Sequence, residues 1–160
     1  MKNKIIICFF LFFVFNILSA QKNHTGTRST YEVSCLGTEL DGSITLESYG
    51  MGRNYNDASE QAKKNAVQAV IFKGIKIGVG DCNASPLLFT PNAEKKYETY
   101  FASFFADKGP YLEFVSLKDE KIANKVNRNA KKSNQMQQRM VVVRVNRLAL
   151  KKRLELDNIK

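Results

Sequence analysis

The strongest constraint on the fold is a strand-like segment that leads through two glycines into an alanine-lined helix. Residues 43–49 alternate between polar and apolar side chains, as a half-buried strand does. Beyond Gly50 and Gly52, small residues recur at the spacing of one helical face: Ala58, Ala62, Ala66, Ala69 and Val70. Because alanine side chains let a helix lie close to a sheet, the sequence predicts a helix over 58–70 that packs on the strand.

Residues at both ends of this helix indicate where it begins and where it ends. Asp57 and Glu60 have the spacing of a capping box, so we expect the helix to begin at Asp57 and to stop near Gly74. A dinucleotide-binding turn would need a third glycine where Tyr55 stands, so we expect no nucleotide cofactor and interpret the glycines as permitting a sharp bend. The alternative is capture of an anion by Arg53 beside the helix N-terminus.

The rest of the pattern predicts three more strands and two more helices. The strands fall at 31–36, 111–117 and 140–145, and the helices fall at 93–107 and 147–156, capped by Asn92 and Asn146. An aromatic stripe on the helix at 93–107 is expected to face the core: Tyr97, Tyr100, Phe101, Phe104 and Phe105. The order β-β-α-α-β-β-α predicts an α+β domain, with a largely antiparallel sheet, a central strand at 140–145 and helices on one face.

The first twenty residues have the layout of a cleaved signal peptide. Lys2 and Lys4 precede an apolar run over 5–15, and the small residues Ser19 and Ala20 close the segment. An uncleaved anchor is the alternative, but this run of about 11 residues is well short of the roughly 20 that span a bilayer. We therefore expect cleavage after Ala20, a mobile leader over 21–30 and a single α+β domain over 31–160.

The predicted processing also indicates where the mature protein is located. It contains no second apolar run long enough to cross a membrane, so we expect no transmembrane segment. No cysteine follows Ala20 directly, which argues against a lipid anchor. The sequence therefore predicts an exported protein of the periplasm or the extracellular space.

Two cysteines remain after processing, Cys35 and Cys82. In an oxidising compartment an even count predicts one disulfide, and two buried free thiols are the alternative. Closing a loop of about 48 residues would stabilise the fold by about 4 kcal/mol on the chain-entropy model.

The chain is basic, with 25 Lys and Arg against 15 Asp and Glu and a formal net charge of +10. The densest basic segment contains a candidate surface for an anionic polymer or for lipid headgroups: Lys121, Lys125, Arg128, Lys131 and Lys132. Aromatic residues are absent from this segment, which argues against single-stranded nucleic acid. Because the charge is spread along the chain, a solvated surface is the favoured interpretation.

The residues needed for catalysis are sparse. The chain has one histidine, His24, which lies in the predicted leader rather than on a rigid element. The sequence has no H-E-x-x-H, no Cys-x-x-Cys and no Asp-rich calcium loop. We therefore expect no catalytic, cofactor-binding or metal-binding residues, and a protein that is not an enzyme.

Two segments carry a resemblance to a known family. The strand, Gly-x-Gly and alanine-lined helix of 44–75 and the closing strand and helix of 141–154 resemble the N-terminal module of flagellar assembly protein T and related small outer-membrane lipoproteins. The resemblance implies a bacterial envelope protein whose α/β module packs against other proteins, and it implies no catalytic residues. The expected function is a non-enzymatic scaffold or accessory subunit with an envelope protein as partner; the alternative is a basic module that binds an anionic polymer or a membrane surface.

Overall fold

The structure is a computed structural model that describes residues 33–80, 82, 85–118 and 136–160. The predicted signal peptide at 1–20 and the predicted leader at 21–30 lie outside these residues. The strands are β1 Ser34–Thr38, β2 Ile44–Gly52, β3 Ile77–Gly78, β4 Val115–Leu117 and β5 Gln137–Val145. The helices are α1 Tyr55–Gln68, α2 Ala93–Lys96, α3 Glu98–Phe104 and α4 Arg147–Leu156.

The five strands form one mixed sheet in the order β3-β1-β2-β5-β4. All neighbouring pairs are antiparallel except β1 and β3, so the predicted α+β class with a largely antiparallel sheet is confirmed. β1 and β2 form the expected hairpin, and β5 lies inside the sheet as predicted. β3 is a two-residue strand that the sequence did not predict.

A single hydrophobic core lies between the sheet and the helices. Ile44, Leu46 and Ser48 are buried on one face of β2, as the alternation predicts, and the Ser48 hydroxyl donates to the Ala62 carbonyl at 2.8 Å. The helices add buried residues to the same core: Ala62, Ala66 and Val67 of α1, Phe101 and Phe104 of α3, and Leu150 and Leu154 of α4. The prediction of helices on one face is therefore confirmed.

The contact between β2 and α1 is so close that two strand positions have no room for a side chain. A Cβ at Gly50 would lie 2.1 Å from the Ala58 carbonyl oxygen, and a Cβ at Gly52 would lie 2.4 Å from the Ala58 nitrogen. Neither glycine has a positive φ, and both belong to β2. The expected reason, backbone freedom at a bend, is therefore wrong: these glycines allow the helix to approach the strand.

The start of α1 also differs from the prediction. The cap is Asn54, whose side chain accepts a hydrogen bond from the Asp57 backbone N–H at 2.9 Å, and the helix begins at Tyr55. The Asp57 carboxylate pairs with Arg53 at 3.2 Å instead of capping the helix. The predicted stop at Gly74 is confirmed, since this glycine adopts a φ of 70°.

The last turn of this helix widens into a π-helical turn, Ala69–Lys73. A π turn leaves carbonyls free of the ordinary helical ladder, and two of them accept hydrogen bonds from the connection to α2. The N–H of Leu87 donates to Val70 at 3.0 Å, and the N–H of Leu88 donates to Ile71 at 2.9 Å. The wide turn thus fixes the far end of this connection to the helix.

The predicted helix at 93–107 is two short helices, because the backbone breaks at Tyr97, with φ −113° and ψ 35°. Asn92 is in the left-handed region and its side chain caps nothing, which also contradicts the prediction. The expected core role of the aromatic stripe is confirmed, with Phe101 and Phe104 buried.

The predicted strand at 111–117 is a 3₁₀ turn, Pro110–Phe114, followed by the short β4. The predicted final helix and its Asn146 cap are confirmed as α4.

Candidate functional site

The face of the sheet opposite the helices is a candidate surface, and we call it the open face. Its middle part consists of side chains that are exposed or half-buried: Glu47, Tyr49 and Met51 of β2 and Gln138, Met140 and Val142 of β5. The register places Tyr49 opposite Met140, and Glu47 opposite Val142. The middle of the open face is therefore an apolar strip two strands wide that contains one acidic residue.

Two hydrogen bonds between described residues involve Tyr49 of the open face. The Tyr49 hydroxyl donates to the Glu47 carboxylate at 3.3 Å, and the negative charge of Glu47 is the main cause of a raised Tyr49 pKa. Asn65 of α1 donates to the Tyr49 carbonyl at 2.7 Å, which joins the strand to the helix behind it. Met140 stays 47% exposed, so the apolar strip is accessible within the described part of the chain.

A polar cluster lies at the end of the open face nearest the β1–β2 turn. Glu39 accepts hydrogen bonds from Lys118 at 2.7 Å and from the Thr45 hydroxyl at 2.7 Å. The Lys118 hydrogen bond is the main reason that the Glu39 pKa lies below its ordinary value. A second pair, Arg144 with Asp41 at 3.0 Å, joins the same turn to β5. These groups satisfy one another, so the cluster holds the turn against β4 and β5.

The structure places Cys35 and Cys82, the two cysteines of the predicted disulfide, next to each other. A disulfide joins Cys35 of β1 to Cys82 in the structure, with their Cα atoms 6.3 Å apart. The bond fastens the connection between α1 and α2 to the edge of the sheet. Within the same connection, Val79 donates its N–H to the Cys35 carbonyl at 3.2 Å.

The other sequence candidates gain no support as sites. The five basic residues proposed for anion binding lie outside the residues that the structure describes: Lys121, Lys125, Arg128, Lys131 and Lys132. Arg53 forms an exposed ion pair with Asp57 at the start of α1, at 3.2 Å. In the parts of the chain described here, no group of three or more His, Cys, Asp or Glu residues could hold a metal ion.

Two tyrosines, the buried Tyr111 and the half-buried Tyr100, form polar contacts that the sequence did not indicate. Tyr111 donates to Glu60 at 3.2 Å, and Tyr100 donates to Asp157 at 2.7 Å. Burial is the main cause of the raised pKa of both hydroxyls. Each carboxylate also accepts from a basic side chain, Lys63 for Glu60 and Arg153 for Asp157. Both clusters connect helices to neighbouring elements, and neither presents an unpaired reactive group.

A second surface missed by sequence reasoning lies in the connection between α1 and α2. Ile77, Val79 and Phe89 are large apolar residues, and each is at least half exposed. The only available signal was their position in a segment rich in glycine and proline, where apolar residues have no periodicity to bury them.

Comparisons with known proteins identify no relative. No family model matches the chain, no curated protein is significantly similar to it, and no solved structure matches it. The resemblance to the flagellar module thus stays a prediction. Among the helices that the structure describes, none is long and apolar enough to cross a membrane.

Proposed function

We propose that this chain is an exported, non-enzymatic protein of the bacterial envelope that serves as a scaffold or accessory subunit of a larger assembly. The open face is the observation that carries the proposal. Its apolar strip leaves Met140 accessible and places Tyr49 and Met51 beside it. Protein interfaces are enriched in methionine, aromatic residues and arginine, and this face of the sheet contains Tyr49, Met51 and Met140, with Arg144 on the same face of β5.

The disulfide supports the part of the proposal that concerns export. Stable disulfides are typical of oxidising compartments outside the cytoplasm, and this bond closes a long loop across the edge of the sheet. The signal-like first twenty residues point to the same compartment. The mature protein is then expected to begin at Gln21, which the intact mass of protein recovered from the envelope fraction would test.

Site-specific photo-crosslinking tests the role of the open face. A photoreactive amino acid replaces Met140 on the open face or, as a control, Lys152 on the exposed side of α4. In cells that produce the protein, we expect a discrete crosslinked species from position 140 and none from position 152. The Tyr49→Lys variant, combined with the probe at 140, should abolish that species while the thermal unfolding midpoint stays nearly unchanged. Absence of any crosslink at position 140 would contradict the proposal.

The alternative function, binding of an anionic polymer, depends on other residues. Retention on a heparin column that disappears when the five basic residues of 121–132 become Gln would support it. Retention of such a variant equal to that of the unchanged protein would remove that alternative.

A further inference from the structure

The open face extends beyond β2 and β5 to the strands on the far side of the sheet. The registers place Glu47 of β2 opposite Val142 of β5 and opposite Ser34 of β1. Ser34 in turn lies opposite Ile77 of β3. Because residues that lie opposite each other in neighbouring strands have their side chains on the same face of a sheet, Ile77 belongs to the open face. This face is therefore one surface that reaches from β3 to β5.

Apolar side chains lie on both sides of the middle of this surface. Ile77 of β3 and Met140 of β5 are exposed by 51% and 47%, and Tyr49 and Met51 of β2 lie between these two strands, half-buried. All four described helices place buried residues in the core on the other face of the sheet. The described helices therefore leave this apolar surface without a covering layer.

The charges at one end of the open face are arranged by sign. The carboxylates, Glu39 and Asp41, belong to the turn between β1 and β2, and the bases, Lys118 and Arg144, belong to the β4–β5 side of the sheet. Within the chain, Lys118 pairs with Glu39 at 2.7 Å and Arg144 pairs with Asp41 at 3.0 Å. The acidic side and the basic side of this end thus lie on opposite sides of β2, the central strand.

This arrangement is complementary to its own copy. We propose that a second copy of this chain covers the open face, in a dimer whose two-fold axis runs along β2. Rotation about that axis exchanges the β1–β2 side of the face with the β4–β5 side, so the turn carboxylates of each copy face the bases of the other. Tyr49 and Met51, which lie on the axis strand, meet their own counterparts. The inference rests on the proposed function and names the partner of the same face.

The size of the open face fits a small, reversible dimer. At about 16 Å² of sheet for each strand residue, the five strands give each copy a flat area of about 450 Å². Two copies then bury about 900 Å² before the relief of the side chains is counted, close to the roughly 1,000 Å² at which specific interfaces begin. We therefore expect a dissociation constant in the micromolar range.

Sedimentation velocity of the purified protein tests the proposal with no other protein present. The oxidised chain that begins at Gln21 is measured from about 1 μM to about 1 mM, which brackets the expected dissociation constant. Salt at about 0.15 M screens the general repulsion between two basic chains. We expect the sedimentation coefficient to rise with concentration toward that of a dimer. A monomer at every concentration would overturn the proposal.

Matched variants show whether the open face forms the dimer. Met140→Lys and Ile77→Lys each add a charge to the face, twice in every dimer, whereas Leu148→Lys adds one on α4, where Leu148 is 59% exposed. The dissociation constant should rise at least about tenfold for Met140→Lys and about threefold for Ile77→Lys, which lies nearer the rim, and should change less than about twofold for Leu148→Lys. Circular dichroism checks that each variant is folded. Equal effects of all three would overturn the proposal.

A charge exchange tests the direction of the two-fold axis. Asp41→Arg makes positions 41 and 144 both basic, and Arg144→Asp in a separate chain makes both acidic. Each variant alone should dimerise at least about threefold more weakly, because the two copies then bring like charges together. An equimolar mixture should form a heterodimer in which the two positions have opposite signs across the interface. A mixture that associates no more tightly than the separate variants would contradict the proposed arrangement.

Crosslinking from position 140 separates this inference from the proposed function. With the photoreactive amino acid in place of Met140, the purified protein should give a species of twice the monomer mass. If the purified protein gives no such species while cells give a crosslink to a different protein, the second copy is excluded and the proposed function stands. If neither sample gives a crosslink, both the inference and the proposed function are contradicted.

Discussion

The two faces of the central sheet are built from alternate residues of the same strands, and they differ in the space that they leave for a side chain. On the covered face, Gly50 has no side chain because the backbone of α1 occupies the space where a Cβ would lie. On the open face, the next residue, Met51, is half-buried and has no helix behind it among the described elements. The comparison teaches that one side of β2 is fixed by close backbone contact with α1, whereas no described helix covers the other side.

The largest expected effect comes from a pair of adjacent substitutions on opposite faces. Gly50→Val would place a Cβ 2.1 Å from the Ala58 oxygen and 2.4 Å from the Ala62 nitrogen, both backbone atoms that cannot move independently. We expect a loss of at least about 3 kcal/mol in the free energy of unfolding, or failure to fold. Met51→Val should change it by less than about 0.5 kcal/mol. Urea unfolding monitored by circular dichroism measures both, and similar losses for the two variants would refute the contrast between the faces.

Removing the disulfide tests how much the stability of the covered face depends on the edge of the sheet. Cys35 points into the core, and its partner lies 47 positions along the chain. Replacing both cysteines with serine should lower the free energy of unfolding by about 4 kcal/mol, because the unfolded chain regains the entropy of the open loop. A dithiol reductant should lower the unfolding temperature of the unchanged protein and leave the double variant unaffected. Two thiols that react with an alkylating agent before reduction would show that the bond is absent.

The smallest expected effect is the change in the pH dependence of stability when the polar cluster beside the open face is altered. The pKa of Glu39 lies below its ordinary value of 4.5, chiefly because Lys118 donates a hydrogen bond to the carboxylate. A lowered folded pKa stabilises the protein above pH 4.5, and that contribution is lost as the pH falls through the folded value. Glu39→Gln should therefore reduce the difference between the melting temperatures at pH 7 and pH 3, and Glu98→Gln, an exposed control, should not. An unchanged difference for Glu39→Gln would show that the cluster does not contribute.

The elements that the sequence predicted well are those fixed by local pattern. The alanine repeat of α1 and the Asn146 cap of α4 need only neighbouring residues to specify them. The cap of α1 was assigned to the wrong residue because Asn54 and Asp57 are both good capping residues, and the pairing of Asp57 with Arg53 decides between them. The π turn was missed because the N–H groups that occupy its free carbonyls come from Leu87 and Leu88, well beyond the helix.

The candidate surfaces were predictable only in part. The alternation of β2 showed which residues face the core, but it could not show that Tyr49 lies opposite Met140, since their register depends on the pairing of distant strands. The exposure of Phe89 likewise follows from tertiary contacts. The disulfide and the hydrogen bond from Leu88 hold the connection on the surface, and no local pattern encodes either contact.

The position of β5 beside β2 has a consequence for the kinetics of folding. The β1–β2 hairpin is local, but the β2–β5 contact joins distant parts of the chain, as shown by the hydrogen bond between Ser43 and Arg144 across 101 positions. Forming such a long-range contact is slow compared with forming a helix or a hairpin. One edge of β2 therefore stays unpaired during folding until β5 pairs with it. During that interval the nascent domain is open to wrong pairings between chains, and we expect its refolding yield to fall as protein concentration rises.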